Sequence, residues 1–292
     1  MVTLANSLLW LDSLDKYFAT RFHMNLTQTL PEIFFEPSIK IKKLFIIGKE
    51  NQIPYLVNND QQKRIDLTNT SGLDLNYAEL PLKSSAFKIM FAGDSMMQGV
   101  APIAISHLRK LYPKSTFDDL SKQSTGLTVK RYFDWPTKIK EGIAKDNYKV
   151  IIIFLGPNDP WDIYENKKVY KFPSPEWEEI YRLRVEDTLL FAKEHDAYII
   201  WVGLPNMGEE RVKQGAIIQN RIFKNELQKY HYQYVSTEEI LGRLDEPYQA
   251  YTKDPIRGDI LLRASDGIHF SPTGLRMIGS TVVNAVTRLD KE

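Results

Sequence analysis

The stretch "YKVIIIFL", residues 148–155, allows few architectures. Its last six residues are all apolar, and a glycine follows at 156. A strand with one wet face alternates apolar and polar residues. A continuous apolar run suits a strand covered on both faces, as in a parallel sheet between layers of helices. "AYIIWVGLP", 197–205, repeats the pattern, and so does the run Phe87 to Ala92. "YQYVST", 232–237, reads as a further strand. The segments between these runs have helical periodicity, over 96–113, 176–195 and 209–231. A last helix follows over 271–289, with Ser271 as its N-cap and Pro272 in its first turn. This alternation predicts an α/β fold, a doubly wound parallel sheet flanked by helices. In such sheets the sites lie beyond the carboxyl ends of the strands.

Ahead of residue 86 the texture differs. Residues 4–18 read as an amphipathic helix, with Leu4, Leu8, Leu11, Tyr17 and Phe18 roughly on one face. From 31 to 84 come short β-like runs broken by Asn, Gly and Pro. Two regions are therefore expected: 1–85, an N-terminal helix plus a small β-rich segment, and 86–292, the main domain. No run approaches the ~18 apolar residues of a membrane-spanning helix. No basic-then-apolar leader is visible at the N-terminus.

Composition excludes several functions. The net charge is +1, so no strong field draws the chain to nucleic acid or an anionic surface. The chain has no cysteine, which removes disulfides, thiolate nucleophiles and cysteine-based metal sites. Its five histidines, His23, His107, His195, His231 and His269, show no metal-ligand spacing. Neither a metal nor a cofactor is expected.

Polar groups gather where the predicted strands end. Gly93-Asp94-Ser95 follows the first strand, and Gly156-Pro157-Asn158-Asp159 follows "VIIIFL". "SDGIHFSPTG" stands before the last helix, with Asp266 and His269 three residues apart. Gly126 of "KQSTGLT" lies in the connection between the first two blocks. A serine attacks well only when an imidazole takes its proton, and the imidazole needs a carboxylate to fix its tautomer. Asp266 can reach Nδ1 of His269 and leave Nε2 for Ser95. Backbone N–H groups of Ser95 and Gly126 and the amide of Asn158 can then face a developing oxyanion. Asp94 itself can cap the following helix.

In "GDS" at 93–95, glycine at 126, "GPND" at 156–159 and "DGIH" at 266–269, the chain resembles the SGNH, or GDSL-type, hydrolase superfamily over residues 86–292. That resemblance implies Ser95 as nucleophile, Ser95, Gly126 and Asn158 as oxyanion hole, and His269 with Asp266 as the rest of a triad. Met96 stands where many members have Leu, an apolar exchange that leaves the chemistry alone.

"GDSMMQGVAP", "STGLTVKRYFDWP" and "GPNDPWDI" are most similar to bacterial peptidoglycan O-acetylesterases. This implies a periplasmic serine esterase that removes acetyl from O-6 of N-acetylmuramic acid, with peptidoglycan strands as partner. Aromatic residues near the motifs offer stacking faces for sugar rings, and Trp135 and Trp161 are the substrate-binding candidates. Two other functions compete. A peptidoglycan O-acetyltransferase would use the same triad, and a glycan-binding protein on a hydrolase fold would use none.

Overall fold

The computed structural model describes residues 80–254 and 258–290. The helix expected over 4–18 and nearly all of the β-rich segment expected over 31–84 lie outside the described residues. Every described residue belongs to one unit, Ser71–Glu292.

Five strands form the central sheet: β1 (Lys88–Gly93), β2 (Thr116–Asp119), β3 (Val150–Phe154), β6 (Tyr198–Val202) and β7 (Gln233–Val235). Their order is β2-β1-β3-β6-β7, and every pairing is parallel. Val150 to Phe154 and Tyr198 to Val202 are buried throughout, as their unbroken apolar runs require. The sheet is the doubly wound one expected. From β1 the chain winds to β2 on one side and later to β3 on the other, so β1 and β3 flank the topological switch point.

Helix α1 (Ser95–Leu111) follows β1, and α2 (Trp135–Asp146) leads into β3. Helices α3 (Pro175–Glu194) and α4 (Glu210–Tyr230) flank β6 in sequence. Helix α6 (Pro272–Thr287) is the last described, after a short α5 (Glu238–Leu241). Helix α1 packs on α6, while α2, α3 and α4 pack in succession as a separate group. The termini show local signals. Ser174 Oγ accepts from Trp177 N at 3.2 Å, with Pro175 following it, and Ser271 Oγ accepts from Gly274 N at 3.1 Å.

The helical readings do not cover α2 or α5, and three further features escape the sequence patterns. β2, "TFDD", is an edge strand with one fully buried residue, so it carries little apolar signal. Two small antiparallel hairpins also form, β4 (Ile163–Glu165) with β5 (Lys168–Tyr170) and β8 (Tyr251–Asp254) with β9 (Gly258–Leu261). Among the described residues no helix is long and apolar enough to cross a membrane.

Candidate active site

β1 and β3 end level with one another, Gly93 opposite Phe154. Beyond Gly93 stands Asp94, fully buried, which caps the helix and does more besides. Its Oδ1 accepts from Met96 N at 2.9 Å, which caps α1. Its Oδ2 accepts from Gly156 N at 3.0 Å, which ties the exit of β1 to the exit of β3. The cap thereby fixes Ser95 as the first residue of α1, half-buried at the sheet edge. An N–H in that position has no carbonyl one turn back, and the helix dipole favours negative charge beside it. Burial raises the Asp94 carboxyl to about 7, against the opposing pull of the Met96 and Gly156 N–H groups.

The imidazole comes from the other end of the domain. His269 Nε2 lies 2.8 Å from Ser95 Oγ, across 174 residues of sequence. His269 Nδ1 lies 2.6 Å from Asp266 Oδ2. The other oxygen of Asp266 accepts from the N–H groups of Ile268 at 2.8 Å and His269 at 2.9 Å. A tight loop thus holds acid and base in one frame. Partial burial acts to raise the Asp266 carboxyl, but the His269 and Ile268 hydrogen bonds outweigh it and hold it below its ordinary value. With Asp266 ionised, the proton on Nδ1 faces the carboxylate, and Nε2 is left to accept from the serine.

Asn158 and Gly126 are brought to the same edge by a network around Asp159. Asn158 Nδ2 donates to Thr125 O at 3.0 Å and lies 3.5 Å from Asp94 Oδ2. Asp159 is fully buried. Its Oδ1 accepts from Thr128 N at 2.8 Å and Thr128 Oγ1 at 2.9 Å, and its Oδ2 accepts from Tyr181 Oη at 2.8 Å. Burial raises its carboxyl too, against these hydrogen bonds. The loop lies so close to this carboxylate that a Cβ at position 126 would fall 2.1 Å from Asp159 Oδ1, so glycine is required there. Arg184, on α3, clamps the same loop through the carbonyls of Leu127 and Thr128.

The structure corrects one expectation. Trp135 is fully buried, with its Nε1 donating to Thr125 Oγ1 at 2.9 Å. It opens α2 and packs beneath the Gly126 loop, so it supports the loop and has no face for a ligand. Trp177 and Phe172 are likewise core residues, packed edge-on at 4.9 Å. Trp161 is 50% exposed, three residues beyond Asn158, with the Arg211 guanidinium 4.7 Å from its ring centroid.

Sequence reasoning missed Arg263, which is buried behind the Asp266–His269 loop. The available signal was an arginine that breaks the apolar run of "DILLRASDG". It also gave no role to Asp159, Thr125 or Tyr181. Among the described residues no cluster of three or more His, Cys, Asp and Glu side chains is arranged to hold a metal ion.

Taken together, these groups are able to perform acyl transfer: an oxygen nucleophile on a base, a carboxylate on that base, and N–H donors at the same sheet edge.

A family model described as "Protein of unknown function (DUF459)" matches residues 88–285. No curated protein sequence matches the chain. Among solved structures, LAE5, an alpha/beta hydrolase enzyme from the metagenome of Lake Arreo, Spain, is 12% identical with a TM-score of 0.52, over 72% of this chain and 100% of that one. A GDSL-like lipase from Bacteroides thetaiotaomicron is 14% identical with a TM-score of 0.48, over 69% and 88%. Axe2, an acetylxylan esterase from Geobacillus stearothermophilus, is 17% identical with a TM-score of 0.46, over 72% and 96%. The likeness to LAE5 establishes a shared fold.

Proposed function

Because the chain belongs to the DUF459 family, described as of unknown function, its activity must be read from its own site, and we propose that it is a serine esterase that removes O-6 acetyl groups from N-acetylmuramic acid of peptidoglycan in the periplasm. The fold is that of the SGNH, or GDSL-type, hydrolases, as the sequence resemblance implies. The observation that carries the esterase reading is the unbroken chain from Ser95 Oγ to His269 Nε2 at 2.8 Å and from His269 Nδ1 to Asp266 at 2.6 Å.

The steps follow from that geometry. Ser95 Oγ attacks the acetyl carbonyl while His269 Nε2 takes its proton. The oxyanion that forms is met by the N–H groups of Ser95 and Gly126 and the amide of Asn158. Its collapse breaks the bond to the sugar oxygen, which leaves with the proton from His269, and acetyl-Ser95 remains. Water then gives its proton to His269 and attacks the acetyl carbon, releasing acetate and restoring Ser95. Asp266 stabilises the imidazolium in both halves.

Water is favoured over a sugar acceptor in the second half by exposure. The His269 side chain is 44% and the Asp266 side chain 48% exposed, so solvent reaches the base directly. A transferase must keep water from that position. The sugar substrate is supported by the motif resemblance and by the exposed ring of Trp161 near Asn158. The test is acetate release from O-acetylated peptidoglycan, with de-O-acetylated peptidoglycan and the Ser95→Ala variant as controls. Expected is release from the acetylated polymer alone, with a loss of about 10⁴-fold or more in the variant. Cleavage of small acetyl esters without action on the polymer would leave an esterase with a different substrate.

A further inference from the structure

Arg263 is a cation 1% exposed to solvent, and among the described residues none of its hydrogen bonds goes to a carboxylate. Burying a charge is costly unless its donors are met. Here they are met largely by main-chain carbonyls: Gly267 O at 3.0 Å, Ile268 O at 2.8 Å, His269 O at 3.3 Å, and Asn206 O. The Met207 sulfur, 3.4 Å away, completes the set. Three of these four carbonyls belong to consecutive residues of the loop that carries Asp266 and His269.

The opposite sides of the same peptide groups face Asp266. The unit joining Gly267 to Ile268 gives its carbonyl to Arg263 at 3.0 Å and its N–H to Asp266 Oδ1 at 2.8 Å. The unit joining Ile268 to His269 gives its carbonyl to Arg263 at 2.8 Å and its N–H to Asp266 Oδ1 at 2.9 Å. Two peptide dipoles thus stand in parallel between a guanidinium and a carboxylate, each with its negative end on the cation and its positive end on the anion. Hydrogen bonds in such chains polarise and strengthen one another. The loop is closed around them by Ala264 N on His269 O at 2.9 Å and Gly267 N on Ala264 O at 3.1 Å.

We infer that Arg263 is a positioning residue for hydrolysis, acting through the 267–268 and 268–269 peptide groups to hold the Asp266 carboxylate on His269 Nδ1. The inference rests on the esterase reading given above. Arg263 anchors the loop to the exit of β6 through Asn206 and Met207, and it supplies a countercharge to Asp266, which among the described residues makes no direct ion pair with an arginine or lysine. Burial lowers the guanidinium to about 10, which still leaves it charged at neutral pH. Lysine is a poor replacement, because one ammonium with three donors cannot span these acceptors.

The test is a double-mutant cycle on a chromogenic acetyl ester with Arg263→Met, Asp266→Asn and the double variant, each checked for its melting transition. Arg263→Met should lower kcat by about 10²-fold with KM little changed, since a loop displaced by an ångström costs about that much. In the Asp266→Asn background the same change should cost almost nothing further, because the two residues act as one unit. If the losses multiply, or if Arg263→Met keeps the wild-type kcat, the inference is overturned. Should Arg263→Met not fold, Arg263→Lys takes its place in the cycle with the same two readings. Failure of the underlying reading would look different: Ser95→Ala would retain activity, whatever the cycle gave.

Discussion

Asn158 and Asp94 show how much of the site depends on single atoms. The amide of Asn158 has two hydrogens. One is held by Thr125 O at 3.0 Å, and the other has only a long 3.5 Å approach to Asp94. The second is thus left to donate to an oxyanion while the first fixes the side chain. Asn158→Ala should lower kcat by about 10²–10³ with a smaller change in KM, measured by steady-state kinetics. A lower melting temperature with unchanged kcat would make it a turn residue. Asp94 lends itself to a stability measurement. Its carboxyl is raised by burial from 3.8 to about 7. Between those values the folded chain holds a proton that the unfolded chain has lost. The associated stability is fully present below 3.8 and is lost as pH rises through about 7. The urea-midpoint advantage of wild type over Asp94→Asn should therefore shrink from pH 4 toward pH 7; a constant difference would contradict the burial argument. The blocks around these residues were legible because each combines a strand end with a short reactive side chain. Trp135 was misread because sequence adjacency to a motif says nothing of which way a ring faces. Arg263 was missed because its partners are main-chain carbonyls, which any sequence supplies.

Two helices set the spacing of the reacting groups. α1 begins at Ser95, and α6 begins three residues after His269. They approach closely enough that a Cβ at Gly279 would lie 2.9 Å from Ile103 Cγ2. Gly279→Val should push the helices apart and lengthen the 2.8 Å contact between Ser95 and His269. The expected result is a kcat loss of about 10²-fold at nearly constant KM, read on an acetyl ester. A variant that loses only melting temperature would show that the loop positions His269 independently of α6. The long helices and central strands were readable from periodicity. β2 and the two hairpins were not, because segments of three or four residues hold too few positions to show a period.

At the scale of the whole domain, the switch between β1 and β3 creates the crevice, and the chain is wound so that distant segments meet there. Ile152 lies at the middle of β3, fully buried. Ile152→Ala should cost about 2–5 kcal/mol of stability through lost burial and an unfilled cavity, measured by urea unfolding. The activity of the molecules that remain folded should change far less, because the strand's middle is remote from its reactive end. An equal fall in kcat would mean that the central strand positions the site as well as supporting it. The doubly wound architecture was readable as a whole from the apolar runs. The edge-to-edge strand order was not, because parallel pairing leaves no local turn signal.

The separation of Ser95 from His269 by 174 residues bears on how the enzyme is born. A ribosome delivers Ser95 and all five strands of the central sheet before it delivers the Asp266–His269 loop. Throughout that interval the serine is an ordinary alcohol, because neither the base nor its acid has yet been made. The nascent chain therefore cannot attack esters it meets during synthesis. Reactivity arrives only when the 266–269 loop has been made and has joined the sheet edge that carries Ser95.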